Sequence, residues 1–97
     1  MIPYGRQDIN KDDIDAVIEV LNSDFITQGP LGPLFEQTVV NYCGAQFAVS
    51  ASSATAGLHI ACLALDLGPG DWLWTSPNTF VSSANCGLYC GAQVDFV

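Results

Sequence analysis

Residues 46–97 read QFAVSASSATAGLHIACLALDLGPGDWLWTSPNTFVSSANCGLYCGAQVDFV, and this stretch decides the fold class. Short apolar segments alternate in it with longer apolar segments of helical period. Three strands are predicted over 46–51, 72–75 and 93–97, and two helices between them over 58–65 and 80–89. The order strand, helix, strand, helix, strand is typical of a parallel sheet with right-handed crossover connections. The sequence therefore predicts an α/β fold that starts a mainly parallel sheet as βαβαβ.

The residues before this stretch predict an amino-terminal helical segment. Asn10 is placed to cap a helix that begins at Lys11, and apolar residues then recur over 14–21 at the spacing of one buried helix face. A second helix is predicted to begin with Pro33 in its first position and to close at a left-handed Gly44. The Gly- and Pro-rich residues between the two helices predict a structured loop.

The charge balance excludes a nucleic-acid binder. The chain has ten acidic residues and only two basic ones, Arg6 and Lys11, which gives a net charge of −8. A protein that binds nucleic acid instead carries many Lys and Arg side chains to neutralise phosphates. No apolar run approaches the ~20 residues of a membrane-spanning helix, and the polar amino terminus lacks a signal-peptide pattern. We therefore expect a cytoplasmic protein without a membrane segment.

The cysteines and the histidine are predicted to be packing residues. All four cysteines lie in apolar segments, which favours reduced core thiols over a disulfide framework. His59, the only histidine, lies three residues before Cys62 on one predicted helix. Two ligands on one turn do not make a metal site, which needs three or four, so no metal is expected.

Two loops are candidate binding sites. The turn SSATAG at 52–57 leads from a predicted strand into a helix, so its free backbone N–H groups and its hydroxyls suit a phosphate. The alternative is that these hydroxyls only cap the helix. The loop over 74–81 follows the next strand, at the sheet edge where ligands of α/β proteins bind. There, Phe80 is either a ring that stacks on a flat ligand or a core residue at the start of a helix.

Four motifs in this order resemble the DegT/StrS family of sugar aminotransferases. They are SATAGLH at 53–59, GPGD at 68–71, TSPNTFV at 75–81 and YCGA at 89–92. The opening residues IPYG at 2–5 and ITQGP at 26–30 also match the family, so the resemblance covers essentially the whole chain. It implies the type I fold of pyridoxal-phosphate-dependent transferases and pyridoxal 5′-phosphate as the cofactor.

The resemblance also implies roles for particular residues. The cofactor phosphate would be held by Thr55 and the backbone of Ala56, and the pyridine ring would stack on Phe80. Contacts with the sugar nucleotide are implied for Tyr4, Asp24, Phe25, Ile26, Thr27 and Ala54. A transaminase also needs a lysine that forms a Schiff base. Because the only lysine, Lys11, lies at the exposed start of a helix, the catalytic lysine is expected beyond Val97.

Within the family, the likeness is greatest to the transaminases of pseudaminic acid biosynthesis. It implies transfer of an amino group, from glutamate, to the 4-keto carbon of a UDP-linked 6-deoxy-N-acetyl sugar by a homodimer. Residues 1–97 are then expected to be an incomplete amino-terminal part, inactive alone, with a helical segment over 1–45 and the start of the large-domain sheet over 46–97. Two alternatives stay open: a pyridoxal-phosphate-dependent sugar dehydratase of the same family, and a non-catalytic phosphate- or nucleotide-binding α/β module if the chain truly ends at residue 97.

Overall fold

A computed structural model describes residues 5–97 of the protein, which divide into two compact units. The first unit extends to Ala48 and the second covers Val49–Val97. Along the part of the chain that is described, no helix is both long enough and apolar enough to cross a membrane.

The first helix, α1 (Lys11–Leu21), begins where the sequence predicts it. The Asn10 side chain accepts hydrogen bonds from the backbone N–H groups of Asp12 and Asp13, at 2.8 and 3.3 Å. In return, the Asp13 carboxylate accepts from the Asn10 N–H at 2.9 Å, which completes a capping box. The predicted burial of one face is wrong for this structure, because no residue of α1 is buried. Amphipathic spacing creates an apolar face, but only a partner surface can bury it.

The second helix, α2 (Leu31–Cys43), begins two residues earlier than predicted. Pro33 is therefore its third residue and not its first. This position tolerates proline because the first N–H groups of a helix have no intrahelical acceptor. The predicted end is confirmed, since Gly44 takes the left-handed conformation with a φ of 66°.

The second unit contains α3 (Ala54–Ala64), β1 (Trp72–Thr75), α4 (Ser82–Tyr89) and β2 (Gln93–Phe96). The two strands pair in parallel, with Leu73 opposite Val94, and α4 packs against both strands and against α3. The contact with the sheet is close at Gly87, where a Cβ atom would lie 3.0 Å from Leu73 and 3.1 Å from Val94. The predicted α/β class, with parallel strands joined by a helix, is confirmed.

Several predicted elements of the second unit differ from the structure. The helix predicted over 58–65 begins four residues earlier, at Ala54, because Ser53 caps it. The strand predicted over 46–51 is not a strand: these residues are irregular, and β1 pairs only with β2 within the described part of the chain. An alternating pattern makes a strand only when a neighbouring strand completes the hydrogen-bond ladder. The last helix, predicted over 80–89, begins two residues later, at Ser82. Val81 is its N-cap, and Phe80 lies before the helix.

The buried core of the second unit is small and rich in sulfur. Its buried apolar residues are Cys62, Cys86 and Ala92. All four cysteines are free. The prediction that they are core thiols is confirmed for Cys62 and Cys86. Cys90 is only half-buried, and Cys43, at the end of α2, is exposed. The apolar character of the segment around Cys43 therefore did not lead to its burial.

Candidate cofactor site

The turn before α3 is a capped helix start with two free amide groups. Ser53 is extended, with φ −162° and ψ 161°, and its hydroxyl accepts a hydrogen bond from the N–H of Ala56 at 3.2 Å. The capping alternative is therefore confirmed for Ser53. The N–H groups of Ala54 and Thr55 lie in the first turn, where a helix provides no acceptor for them. These two amides are the donors that a bound anion would meet.

The turn itself is open and carries no charged side chain. Ala54 is exposed, Thr55 is half-buried, and a Cβ atom on Gly57 would meet nothing within 4 Å. The first turn of α3 contains no acidic residue, and residues 49–97 contain no Lys or Arg. A phosphate here would be held by backbone dipoles and hydroxyl groups at the positive end of the helix.

The loop over 76–81 leaves the carboxyl end of β1 and is ordered by its own hydroxyl groups. The Ser76 hydroxyl accepts from the N–H of Asn78 at 3.3 Å, and the hydroxyls of Thr79 and Ser83 lie 3.3 Å apart. The Phe80 side chain that this loop carries is 71% exposed. Its interpretation as a core residue is therefore wrong for this structure, and the ring is free to stack on a flat ligand.

The connection from α3 to β1 lies at the amino end of β1. Residues 65–71 run to the amino end of β1, where the Asp71 carbonyl accepts from the Gln93 N–H at 2.9 Å. Beside them, a Cβ atom on Gly91 would lie 3.3 Å from the Pro69 ring. The carboxyl end of α3 leads into this connection. Because α3 has 11 residues, its amino end lies about 16 Å from its carboxyl end. The loop over 76–81 lies at the opposite, carboxyl edge of β1.

Among the residues implied in sugar-nucleotide binding, Ala54 is the first residue of α3, and four others belong to the first unit. Asp24, Phe25, Ile26 and Thr27 are exposed in the connection between α1 and α2, in the first unit. Phe25 lines a groove of about 400 Å³ together with residues of both helices. Gly29 closes this connection tightly, because a Cβ atom there would lie 2.9 Å from that of Phe25. Tyr4 lies outside the described residues.

The Ser53 cap competes with the role that the family resemblance implies for Ala56. The family resemblance assigns the Ala56 backbone to the cofactor phosphate, yet in the structure the Ala56 N–H already donates to Ser53. A ligand at Ala56 would have to share or displace that hydroxyl. The signal was present in the sequence, since Ser directly before a helix is a preferred cap.

The sequence profile of the DegT/DnrJ/EryC1/StrS aminotransferase family matches residues 7–97. The chain belongs to this family. One similar family member is the UDP-4-amino-4-deoxy-L-arabinose–oxoglutarate aminotransferase of Shewanella sediminis, which is 45% identical over 96 residues. This match covers 99% of the chain and 25% of the Shewanella protein.

Solved structures of two aminotransferases are also similar. Spr1654 of Streptococcus pneumoniae, named as a sugar aminotransferase, superposes with a TM-score of 0.90 at 31% identity, over 99% of this chain and 24% of its own. Helicobacter pylori PseC, an aminotransferase involved in the biosynthesis of pseudoaminic acid, has a TM-score of 0.89 at 33% identity, over 98% and 26%. This DegT/DnrJ/EryC1/StrS member therefore spans about a quarter of the length of these relatives. Pyridoxal phosphate as the cofactor is supported, because Spr1654 is known in a PLP-form and a PMP-form.

Proposed function

We propose that this chain provides the phosphate-binding turn and the ring-stacking face of a pyridoxal-phosphate-dependent sugar aminotransferase. The proposal rests on the open amino end of α3, which presents the Thr55 hydroxyl and the free amides of Ala54 and Thr55. The exposed Phe80 ring in the same unit supports it. Bound pyridoxal phosphate supplies an electron sink for the transfer of an amino group.

In this proposal, each residue of the turn has a defined task. The Thr55 hydroxyl and the N–H groups of Ala54 and Thr55 donate hydrogen bonds to phosphate oxygens. The dipole of α3 adds a favourable interaction with the negative charge. If the ligand reaches the N–H of Ala56, the Ser53 hydroxyl must release it. Phe80 covers one face of the ring and excludes water from that face.

The substrate is proposed to be a UDP-linked 4-keto-6-deoxy-N-acetyl sugar, and the amino donor glutamate, in a pseudaminic acid pathway. The UDP-sugar and oxoglutarate in the name of the Shewanella relative, together with the likeness to PseC, support this. Tyr4, Ala54 and the residues over 24–27 are the proposed sugar-nucleotide contacts. A homodimer is the proposed assembly.

The Schiff-base lysine is proposed to lie outside residues 1–97, which are then inactive alone. The one lysine of the chain, Lys11, lies in the first turn of α1 and pairs with the Asp15 carboxylate one turn later. Its side chain is highly exposed. A Schiff-base lysine instead needs a desolvated or cationic setting that lowers its pKa and activates its amine.

The test is a titration of the chain with pyridoxamine 5′-phosphate, followed by NMR chemical shifts of the backbone amides. This probe lacks an aldehyde, so it cannot react with Lys11 or with the terminal amine. We expect shifts at Ala54, Thr55 and Phe80. Loss of a charge-assisted hydrogen bond in Thr55→Ala should weaken binding by roughly tenfold, whereas Thr55→Ser should retain it.

A matched pair of phenylalanine variants tests the stacking face. Loss of an aromatic contact in Phe80→Ala should weaken binding by about fivefold. Phe47→Ala removes a ring from the first unit that is even more exposed, at 85% against 71% for Phe80, and should leave the affinity unchanged. Equal weakening by both variants, or shifts confined to residues outside the two loops, would contradict the proposed site.

A further inference from the structure

One face of the two-stranded sheet is open and carries both tryptophans of the chain. Side chains alternate along a strand, so Trp72 and Trp74 point to the same face of β1. Leu73 points to the other face, where Gly87 of α4 packs closely against it. The two tryptophans are 56% and 67% exposed, so a large aromatic surface is left in contact with water.

A carboxylate lies beside the tryptophans. The parallel register places Asp95 of β2 opposite Trp74, and these two residues line an open cavity of about 420 Å³ together with Trp72. The Oδ1 atom of Asp95 accepts a hydrogen bond from the N–H of Phe96 at 2.8 Å, so Oδ2 is the oxygen that can accept from a donor outside the sheet. We call the surface formed by Trp72, Trp74 and Asp95 the indole face. It combines a large apolar area with one negative charge.

A helix is the element that fits an open face of a parallel sheet. Parallel strands are normally covered by helices on both faces, and α4 packs against the face opposite the indole face. Tryptophan is also one of the residues most enriched at the centre of binding surfaces. We therefore expect an amphipathic helix on the indole face, with its apolar side against the two rings.

Charge determines which side chain this helix carries. Residues 49–97 contain no Lys or Arg, so their own unit has no such side chain to pair with Asp95. A second copy of the chain is a poor occupant, because it also has a net charge of −8 and a symmetric pair of indole faces would bring two Asp95 carboxylates together. Of the two basic side chains, arginine is favoured, because its planar guanidinium stacks on an indole and hydrogen-bonds to a carboxylate.

We propose that the indole face is the docking surface of an amphipathic helix that lies outside residues 1–97 and presents one arginine. The guanidinium stacks on an indole and donates a hydrogen bond to Oδ2 of Asp95, while apolar side chains on either side of the arginine cover the two rings. A helix with a neutral or acidic residue at that position would desolvate the Asp95 carboxylate without a counter-charge, which is unfavourable. The indole face therefore selects its partner by charge as well as by shape.

The test uses the intrinsic fluorescence of the whole chain. Trp72 and Trp74 are its only tryptophans, so the emission reports on the indole face alone. The probe is an amphipathic peptide of about 16 residues, without aromatic residues, that carries one arginine in the middle of a leucine face. We expect a saturable blue shift, because the bound helix removes water from the rings. A matched peptide with citrulline, which has nearly the shape of arginine without its charge, should bind about fivefold more weakly.

Variants of the chain test the carboxylate and the rings. Asp95→Asn should weaken binding of the arginine peptide by about fivefold and remove its advantage over the citrulline peptide. Asp66→Asn is the matched control, because Asp66 is exposed in the connection between α3 and β1 and its φ of 56° suits asparagine. It removes the same charge and should leave both affinities unchanged. Trp74→Ala should weaken binding of both peptides by about tenfold, and Trp72 still reports the binding.

The two peptides decide the matter on the unmodified chain, whether or not a variant folds. Equal affinity for both would show that the indole face selects no cation, and the absence of a blue shift with either would show that no helix docks there. Equal weakening by Asp95→Asn and Asp66→Asn would assign the binding to net charge. A blue shift that grows with chain concentration, without any peptide, would identify a second copy as the occupant. Each of these results would overturn the proposal. None of them depends on cofactor binding, so this proposal and the proposed function fail separately.

Discussion

Gly87 offers the most discriminating test of the packing between α4 and the sheet. A Cβ atom at this position would lie 3.0 Å from both Cβ and Cδ2 of Leu73 and 3.1 Å from Cγ2 of Val94. One of the two nearest atoms is the Leu73 Cβ, which moves only if the backbone of β1 moves. Gly87→Ala should therefore push α4 away from the sheet.

Two opposing effects determine the size of the change. Alanine in a helix interior is more favourable than glycine by about 0.8–1 kcal/mol. Overpacking a close-packed contact costs about 1–3 kcal/mol. Because the clash involves three atoms on two strands, we take the upper half of that range, and the expected net loss of stability is about 1–2 kcal/mol.

Gly57→Ala is the matched control on α3. A Cβ atom there meets nothing within 4 Å, so only the gain in helix propensity remains. It should stabilise the chain by about 0.8–1 kcal/mol. The two variants therefore make the same chemical change with opposite expected signs.

Urea unfolding, followed by far-ultraviolet circular dichroism, measures both variants. For a slope of about 1 kcal/mol per M, the midpoint of Gly87→Ala should fall by about 1–2 M and that of Gly57→Ala should rise by about 1 M. A Gly87→Ala midpoint equal to or above that of the unmodified chain would refute the reasoning, because it would show that the helix moves away from the sheet at no cost.

Three further results are expected. Asp71→Ala removes the carboxylate that accepts from the Gly68 N–H at 2.9 Å, and urea unfolding should show a loss of about 1 kcal/mol; an unchanged midpoint would show that this turn does not need the bond. The Cys62 pKa rises from 9.0 to about 11 on folding, so the unfolded chain loses that proton first and stability should fall between these pH values. Unfolding curves of Cys62→Ala should lack this part of the decline, and identical pH dependence in both chains would contradict the shift. With a net charge of −8, binding of pyridoxamine 5′-phosphate should tighten when salt screens the repulsion; weaker binding in salt would point to a cation in the site.

Local signals were interpreted correctly where the interacting groups lie within a few residues of each other. The α1 start depends on Asn10 and on the amides of Asp12 and Asp13, and the α2 end depends on the conformation of Gly44. The same reasoning placed a helix start at the turn over 52–57, although α3 begins within that stretch, at Ala54. In each case the hydrogen bonds or dihedral angles are decided within one turn of chain.

Predictions failed where the outcome depends on residues far away in the chain. The segment over 46–51 has the alternation of a strand but no strand beside it in the described structure. The apolar stripe of α1 has the right spacing but no residue of it is buried. Phe80 was weighed as a core residue and is exposed. Pairing and burial need a partner surface, and periodicity carries no information about where that surface is.

By itself, the sequence determined the α/β class, the capped start of α1, the end of α2 at Gly44, the family, and the two loops that are candidate contacts for a phosphate and a ring. These properties depend on side-chain chemistry within short segments. Only the tertiary structure decided that residues 46–51 pair with no strand among the described residues, that Phe80 faces solvent, and that α4 lies close to the sheet at Gly87. Each of those outcomes depends on how atoms are placed in space, because strand pairing and burial follow from packing and not from the order of residues.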